Sequence, residues 1–446
     1  MRLKTRFVCR ACGYDAAKWF GRCPGCGEWN TMMEQERPKV STESLALPQS
    51  VAALELPPEV RFSSGLAELD RVLGGGIVAG SLLLLGGEPG IGKSTLMLQV
   101  ANAVAQSQSE PVLYVSGEES VTQVLLRAQR LQAVSPRLLA LAETNILHIT
   151  EQIKACQPRL VVMDSIQTMF DPSFDSPPGG ITQIRQTALQ LQRLAKEQGL
   201  AIVLVGHITK SGDIAGPKVI EHQTDVVLYF TGESFYTHRV LRSTKNRFGA
   251  SNEVGVFEMT AQGLKEVSNP SGMFLTARPQ GVAGTVAVAI LGGSRVLLAE
   301  VQALTMFSHL AAPRRLATGL DQRRLVVMAA VLEKRAGIRL SDQDIYLKVA
   351  GGMRLDEPAA DLGMAVAVAS SVRGTPVDCR LAVAGEVGLA GELRPVGRAK
   401  ERTREAARQG FTRMILPKGF DCRTNGLEVI TAKTVKEAID IALSQD

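Results

Sequence analysis

Long hydrophobic runs are missing from this chain of 446 residues. No apolar segment approaches the roughly 18 residues that a bilayer-spanning helix needs. Residues 1–6 lead into cysteines rather than into the apolar core of a signal peptide. We therefore expect a cytoplasmic protein with no membrane partner. The composition is 45% hydrophobic and 21% charged, as in ordinary globular proteins, and a chain of this length predicts two or three domains.

An excess of acidic residues is also missing. The chain has 50 Lys and Arg against 44 Asp and Glu, which gives a net charge of +6. This balance permits nucleic-acid binding without demonstrating it. Residues 1–39 hold eight basic residues against four acidic ones, so the basic charge is concentrated at the N-terminus.

Cysteine is scarce except at the N-terminus, where four of the seven cysteines fall within the first 26 residues. They form two Cys-x-x-Cys-Gly motifs, with Cys9 and Cys12 in the first and Cys23 and Cys26 in the second. Four thiolates at this spacing are typical of a closed, structural zinc site. Disulfide pairing is the alternative, which a cytosolic setting disfavours. We assign residues 1–33 to a four-cysteine zinc finger that depends on Zn²⁺ to fold.

Residues 34–58 lose periodicity and collect proline, which predicts an exposed linker. From residue 59 to residue 269, apolar strands alternate with helical stretches such as residues 181–196. This alternation predicts an α/β domain with a mostly parallel, doubly wound sheet. The predicted strands are residues 81–85, 111–115, 145–149, 160–163, 201–205 and 225–230. Residues 270–446 are richer in Ala and Gly and form a third predicted domain.

The strand at 81–85 is followed by a sequence that satisfies the P-loop pattern G-x-x-x-x-G-K-[ST], and a predicted helix comes next. Glycines let the loop curl so that its N–H groups point inward, and the helix N-terminus favours an anion. Lys93 would reach the β and γ phosphates of ATP. The predicted nucleotide-binding residues are Gly87, Glu88, Pro89, Gly90, Ile91, Gly92, Lys93, Ser94 and Thr95.

Hydrolysis needs a metal ion and a group that positions water. Asp164 ends an apolar strand, as a Walker B aspartate does, and we expect it to hold Mg²⁺ together with Ser94. Glu118 follows the predicted strand at residues 111–115 and is the first candidate for orienting water, with Glu119 the second. His207 ends a later strand and could sense the γ phosphate, although a loop histidine without a role is the alternative.

Several motifs together resemble a known family. Residues 61–80 and the ATPase motifs described above resemble a RecA-like ATPase core. The segments that narrow the match are residues 61–65, residues 69–76, the P-loop and Lys245-Asn246-Arg247-Phe248-Gly249. With the four-cysteine head and the C-terminal domain, the chain resembles the RadA (Sms) family of bacterial DNA-repair proteins over nearly its whole length.

The resemblance implies a function as well as a fold. In that family the Lys-Asn-Arg-Phe-Gly segment is implicated in ATPase function and DNA translocation, so Lys245 and Arg247 are predicted to reach a neighbouring subunit's ATP. The resemblance therefore implies a ring, expected to be hexameric, because one chain cannot complete its own site. A basic, solvated turn is the alternative reading of these residues.

The C-terminal domain resembles the α+β proteolytic domain of Lon protease. Residues 354–362 match the segment that carries the catalytic serine of that family, and residues 384–401 match the one that carries its lysine. Lys400 matches the lysine, but Ala359 stands at the serine position. Without a hydroxyl the dyad has no nucleophile, so we expect no peptidase activity.

Basic residues of this domain could follow a DNA backbone, although a solvated basic face explains them equally well. They are Lys400, Arg404 and Arg408 at helical spacing, together with Arg314, Arg315, Arg323 and Arg324.

The leading hypothesis is a DNA-dependent ATPase that translocates on single-stranded DNA. It would process branched recombination intermediates as a helicase, alongside the RecA recombinase, using ATP, Mg²⁺ and Zn²⁺. An ATP-dependent assembly switch or scaffold without motor activity is the alternative, since both need the same P-loop. The loop at residues 207–218 is a candidate for lining a central channel.

Overall fold

The computed structural model describes residues 6–16, 18–35, 60–207, 220–232, 237–251, 253–275, 281–310, 312–420 and 424–444. The predicted linker therefore lies outside the described residues except at its first two positions. Of the candidate channel loop, only His207 is described. By its contacts the chain divides into one unit of residues 1–231 with 241–266 and a second of residues 232–240 with 267–446. The domain limits inferred from the sequence stay predictions.

The N-terminal module is a small antiparallel sheet. Its strands are β1 (Arg6–Cys9), β2 (Asp15–Ala16) and β3 (Met32–Gln35), and β1 lies between the other two. Cys9 ends β1 and Cys12 lies in the turn that follows, whereas the second pair lies in the long connection from β2 to β3. The buried side chains in its small core are Cys9, Cys23 and Met32. So small a core provides little folding energy of its own.

A large sheet forms the centre of the first unit. The strands of this region are β4 (Arg61–Phe62), β5 (Ile77–Val78), β6 (Leu82–Gly87), β7 (Val112–Ser116), β8 (Leu138–Ala142), β9 (Leu160–Asp164), β10 (Ala201–His207), β11 (Val226–Thr231), β12 (His238–Asn246), β13 (Val254–Thr260) and β14 (Gly263–Glu266). Among the described residues, β6 to β14 form one sheet in the order β14-β13-β12-β11-β6-β10-β9-β7-β8. The pairs from β11 to β8 are parallel, as the alternating sequence pattern predicts.

Helices cover both faces of this sheet. They are α1 (Ala67–Leu73), α2 (Lys93–Ser107), α3 (Val121–Arg130), α4 (Ile146–Cys156) and α5 (Ile181–Gln198). The strands read as continuous apolar runs because each face is buried. One buried cluster joins α2 to one face, including Leu83 and Leu85, and another joins α4 and α5 to the opposite face, including Leu82 and Leu84. This is the doubly wound α/β architecture.

The prediction of a strand at residues 145–149 is wrong. Residues 146–149 form the first turn of α4, and the strand of this part of the sheet is β8, at Leu138–Ala142. The Asn145 side chain accepts a hydrogen bond from Leu147 N at 3.0 Å and caps the helix. Ile146, Ile149 and Ile153 are buried on one helix face. In so short a segment, the apolar and β-branched residues of a helix face cannot be distinguished from those of a strand.

The second unit contains an α+β domain. Its strands are β15 (Thr285–Gly292), β16 (Arg295–Phe307), β17 (Arg315–Thr318), β18 (Gln343–Val349), β19 (Leu381–Val383), β20 (Glu386–Val387), β21 (Leu393–Arg394), β22 (Arg413–Pro417) and β23 (Glu428–Ala432). The described strands give a seven-stranded mixed sheet in the order β17-β18-β16-β15-β19-β22-β23, and β20 pairs with β21.

The helices of this domain pack around the sheet. They are α6 (Pro270–Leu275), α7 (Gln322–Val331), α8 (Asp361–Arg373), α9 (Ala399–Arg408) and α10 (Val435–Leu443), with short irregular helices at Leu332–Ala336, Ala350–Gly352 and Pro358–Ala360. The first ten residues of α8 are buried, which makes it the central helix of the domain. Across the residues described, no helix combines the length and apolarity that crossing a bilayer requires.

Candidate ATPase site and zinc centre

The carboxyl ends of four parallel strands bring the predicted ATPase residues to one edge of the sheet. Gly87 at the end of β6 pairs with His207 at the end of β10, and Asp164 at the end of β9 pairs with Val205. Ser116 at the end of β7 also lies opposite Asp164, which places Glu118 just beyond the same edge. Open α/β sheets bind ligands in this position.

The P-loop connects β6 to α2, so residues 87–95 form one continuous turn into the helix. Gly92 has a φ of +113°, a conformation that side chains disfavour. A Cβ atom at Gly87 would lie 2.6 Å from the Phe230 carbonyl oxygen. No side chain caps the start of α2. The first N–H groups of such a helix could therefore donate to an anion in the loop.

Lys93 is 3% exposed and points back into the loop. Its Nζ donates to Gly87 O at 2.8 Å and to Glu88 O at 2.9 Å, and it lies 3.1 Å from His207 Nδ1. Burial lowers the pKa of Lys93 to about 8, although Asp164 and Glu118 oppose this shift. A negatively charged phosphate next to Nζ would stabilise the charged ammonium form of Lys93.

Asp164 is held by a tyrosine that the sequence analysis missed. The Tyr114 hydroxyl donates to Asp164 Oδ2 at 2.5 Å, and both side chains are buried. Burial and the charge of Asp164 raise the pKa of Tyr114 well above its usual value, so the hydroxyl stays protonated. A tyrosine inside an otherwise apolar strand was the signal available in the sequence.

Glu118 and Glu119 differ in their surroundings. Glu118 Oε1 accepts from Ser165 Oγ at 2.6 Å and lies 3.3 Å from His207 Nε2. The Glu119 carboxylate is instead paired with Arg127. His207 thus lies between Lys93 and Glu118, and Glu118 is the carboxylate directed towards the P-loop.

Lys245 and Arg247 lie at the opposite edge of the same sheet. Asp225, just before β11, donates its N–H to Leu82 O at 2.8 Å and accepts from Leu82 N at 3.1 Å. Arg247 Nη1 is 3.5 Å from Asp225 Oδ1, and Lys245 Nζ donates to Thr224 O at 2.7 Å. Leu82 begins β6 and Gly87 ends it, so about 17–20 Å of strand separates the two edges. Within one chain the structure does not bring these cations to the P-loop.

Residues of the motifs at 61–65 and 69–76 hold the segment 245–249 through hydrogen bonds. Arg61 Nη2 donates to Phe248 O at 2.6 Å and Arg61 Nη1 to Gly74 O at 2.8 Å. Asn246 Nδ2 donates to Leu73 O at 3.1 Å. The segment 245–249 is therefore fixed by α1 and its flanking residues rather than being a free turn.

The four N-terminal cysteines form one cluster. Their Sγ atoms all lie within 4.8 Å of one another, with 3.7 Å between Cys9 and Cys26 and 3.5 Å between Cys12 and Cys23. A disulfide has an S–S distance of about 2.05 Å, whereas sulfurs bound to tetrahedral zinc at about 2.3 Å are roughly 3.8 Å apart. Burial opposes ionisation of Cys9, but hydrogen bonds to Thr31 and the backbone lower its pKa to about 6. The donor set fits zinc and excludes the disulfide alternative.

Comparison with known proteins matches three family models to the chain: an AAA domain at residues 51–213, a rubredoxin metal-binding domain at residues 7–34, and the Lon protease (S16) C-terminal proteolytic domain at residues 280–445. The DNA repair protein RadA of Bacillus subtilis is 47% identical, with 99% of each chain covered. That of Pseudomonas aeruginosa is 48% identical over 98% of this chain and 99% of its own. The chain belongs to the RadA family.

The three matched models show that the chain combines a zinc ribbon, a RecA-like P-loop ATPase core and a Lon protease-like domain. Among solved structures, a KaiC-like protein from Pyrococcus horikoshii matches 47% of this chain and 100% of its own, with a TM-score of 0.39 and 21% identity.

In this RadA family member the residue predicted to match the Lon serine is part of the core. Ala359 is 1% exposed and packs in an apolar cluster, whereas Lys400 is exposed at the start of α9. Two ion pairs hold the surrounding residues: Arg402 with Glu357, and Arg324 Nη2 with Asp361 Oδ1 at 2.6 Å. Burial raises the pKa of Asp361, which Arg324 opposes.

Not all of the basic residues suggested for DNA contact are free. Arg324 donates to Glu357 O at 3.1 Å as well as to Asp361, and Arg315 Nη2 donates to Leu340 O at 2.6 Å. Their role is at least partly internal, because the guanidinium groups satisfy backbone carbonyls. The exposed basic residues of the set are Lys400, Arg404, Arg408, Arg314 and Arg323.

Proposed function

We propose that this protein is a DNA-dependent ATPase and DNA translocase that works as a ring, hexameric by family resemblance, on branched recombination intermediates. One observation carries the part of the proposal that concerns a site shared between subunits. The basic pair at Lys245 and Arg247 lies at the amino edge of the sheet, away from Lys93 at the carboxyl edge. If these cations act on ATP, they act on the ATP of the next subunit, and the site is incomplete without that subunit.

The residues around the P-loop have complementary roles in this proposal. Residues 87–95 bind the phosphates, with Lys93 on the β and γ groups. Ser94 and Asp164 offer oxygen ligands, which fit Mg²⁺, and they would hold it. The metal would supply charge compensation on the phosphates.

The water-positioning step falls to Glu118. Its carboxylate is oriented by Ser165 and lies beside His207. In our proposal Glu118 orients the attacking water and accepts its proton. Charge develops on the γ phosphate as the bond to the β phosphate breaks, and Lys93 with the neighbour's Arg247 and Lys245 stabilises it. His207 contacts both Lys93 and Glu118, and in our proposal it registers whether the γ phosphate is present.

The proposal that the protein acts on DNA rests on its relatives and not on the geometry of the site. Proteins almost half identical over their whole length are DNA repair proteins. We infer that hydrolysis moves the ring along single-stranded DNA and drives branch migration, alongside the RecA recombinase. The Lon-like domain would serve as a scaffold, without peptidase activity, because Ala359 provides no nucleophile.

Branch migration of a forked DNA substrate tests the proposal. We expect single-stranded DNA to stimulate ATP hydrolysis and the parent protein to move the branch, while Lys93→Ala and Arg247→Ala abolish both activities. Lys265→Ala is the matched control, since Lys265 is an exposed cation on β14 of the same sheet. Hydrolysis without any DNA remodelling would favour the assembly switch instead, and hydrolysis unaffected by Arg247→Ala would overturn the shared site.

A further inference from the structure

Both tryptophans of the chain lie on the zinc module, and both are exposed. Trp19 is 53% exposed and Trp29 is 70% exposed, although tryptophan is normally largely buried. Tyr14, on the same module, is 40% exposed. These rings are not needed for the small core around Cys9, Cys23 and Met32. An exposed aromatic pair on so small a module indicates a binding surface.

The two indole rings lie beside each other across Gly21. A Cβ atom at Gly21 would be 3.5 Å from the Trp19 ring and 3.9 Å from the Trp29 ring. The backbone that carries them is fixed by the second cysteine motif. Trp29 pairs with Arg22 in an antiparallel bridge, and Cys23 N donates to Glu28 O at 2.9 Å. The aromatic pair is therefore preorganised before any ligand arrives.

Cations accompany these rings. The Arg22 guanidinium lies 6.0 Å from the centroid of the Trp29 ring, and Lys18 Nζ lies 5.4 Å from that of Phe20. Both basic side chains are exposed. Acidic residues are also present, at Asp15 and Glu28, but residues 1–39 carry twice as many basic as acidic residues. Aromatic faces with adjacent cations are the combination that binds bases and phosphates of single strands.

We propose that the zinc module binds single-stranded DNA by stacking bases on Trp19 and Trp29, with Arg22 and Lys18 contacting phosphates. The choice of DNA rests on the proposed function. Single strands are favoured over duplex because the faces of paired bases are covered by their neighbours, whereas unpaired bases expose theirs. The binding needs no sequence preference, since every base has an aromatic face.

Intrinsic fluorescence offers a direct test, because the full chain has no other tryptophan. We expect oligo(dT) to quench the tryptophan emission of the intact protein in a saturable way, and a duplex of the same length to quench it less. Lys93→Ala should be quenched like the parent, so failure of the ATPase proposal is distinguished from failure of this one. Labelled oligo(dT) that binds, by anisotropy, without altering the emission would overturn the proposal.

Variants give a second, independent readout. Each of Trp19→Leu and Trp29→Leu is expected to weaken oligo(dT) binding by about tenfold, the usual effect of removing one stacking ring. Trp29→Phe should restore most of it. Phe307→Leu is the matched control, since Phe307 is 57% exposed on the other unit. Zinc content shows that the module is still folded.

The variants also separate DNA from a protein partner. If the leucine variants retain zinc and bind DNA like the parent, stacking on this surface is refuted. Loss of RecA binding by those same variants would then assign the tryptophans to a protein interface.

Discussion

Arg247 is paired with Asp225 at the edge of the ATPase sheet opposite to the P-loop, with 3.5 Å between Nη1 and Oδ1. Asp225 is 4% exposed and also binds the first residue of β6 through its backbone and side chain. Because the carboxylate is anchored in the sheet, it sets the direction of the exposed guanidinium group. Arg247 is thus a fixed cation on a surface that cannot meet its own Lys93.

This arrangement predicts complementation between defective subunits. Rings of Lys93→Ala alone or Arg247→Ala alone should not hydrolyse ATP. When the two variants are co-expressed, about a quarter of the junctions combine an intact Lys93 with an intact neighbouring Arg247, so up to roughly a quarter of the parent activity should return. Steady-state ATPase measurements on the purified mixed rings check this.

The complementation test has a control in the same sheet. Lys93→Ala co-expressed with Lys265→Ala gives rings in which the second variant already has a complete site, so activity should be present without any complementation. No recovery in the Lys93→Ala and Arg247→Ala mixture, despite verified mixed assembly, would contradict the shared site.

The Tyr114 hydroxyl bond to Asp164 predicts a defect in magnesium use. Tyr114→Phe leaves a buried carboxylate oxygen without its donor, and hydrogen bonds to charged groups contribute about 1.5–3 kcal/mol. We expect the Mg²⁺ concentration that supports tight binding of a fluorescent ATP analogue to rise by about 10-fold or more. Nucleotide binding in EDTA should change little.

Tyr229→Phe is the control for that substitution. Tyr229 is a half-buried tyrosine in the same sheet, and its hydroxyl binds Glu221 rather than Asp164. An equal shift in magnesium dependence for both variants would mean that loss of a buried hydroxyl, and not the orientation of Asp164, is responsible.

The pKa of Lys93 predicts how nucleotide affinity depends on pH. Burial lowers this pKa to about 8 in the free protein. Below that pH Lys93 carries the charge that attracts phosphate, and above it the neutral amine predominates. We therefore expect the dissociation constant for ADP to increase as the pH rises from 7 to about 9. Lys93→Arg keeps the charge throughout this range, so its pH profile should be flat, and a matching slope in both proteins would rule out Lys93 as the titrating group.

Short sequence patterns predicted the parts of the site that local chemistry dictates. The P-loop, Asp164 and the four cysteines could be predicted because a glycine turn, a strand end and a ligand spacing are each encoded within a few residues. A short local pattern also marks the end of β7, and Glu118 was predicted from its position just after that strand. The sheet edge that unites them followed from the rule for parallel strands.

The relationships between distant residues could not be predicted in that way. Tyr114 and Asp164 are 50 positions apart, and Arg402 and Glu357 are 45 apart. The residues around each partner carry no local signal that the two members of a pair are in contact. The error at residues 145–149 has another cause, since five residues are too few to separate helical from strand periodicity, and the Asn145 cap decided the outcome.

The cysteine cluster predicts that the N-terminal module depends on metal. Structural zinc sites contribute on the order of 10 kcal/mol to folding, far more than the buried trio Cys9, Cys23 and Met32 can supply. Cys9→Ser should reduce bound zinc from about one ion per chain to none, as measured by atomic emission, and should make the module sensitive to protease. ATP hydrolysis without DNA should remain, because the P-loop site draws no residue from this module. Cys156→Ser, a change in α4 away from the cluster, should keep its zinc, and unchanged zinc in Cys9→Ser would contradict the four-thiolate site.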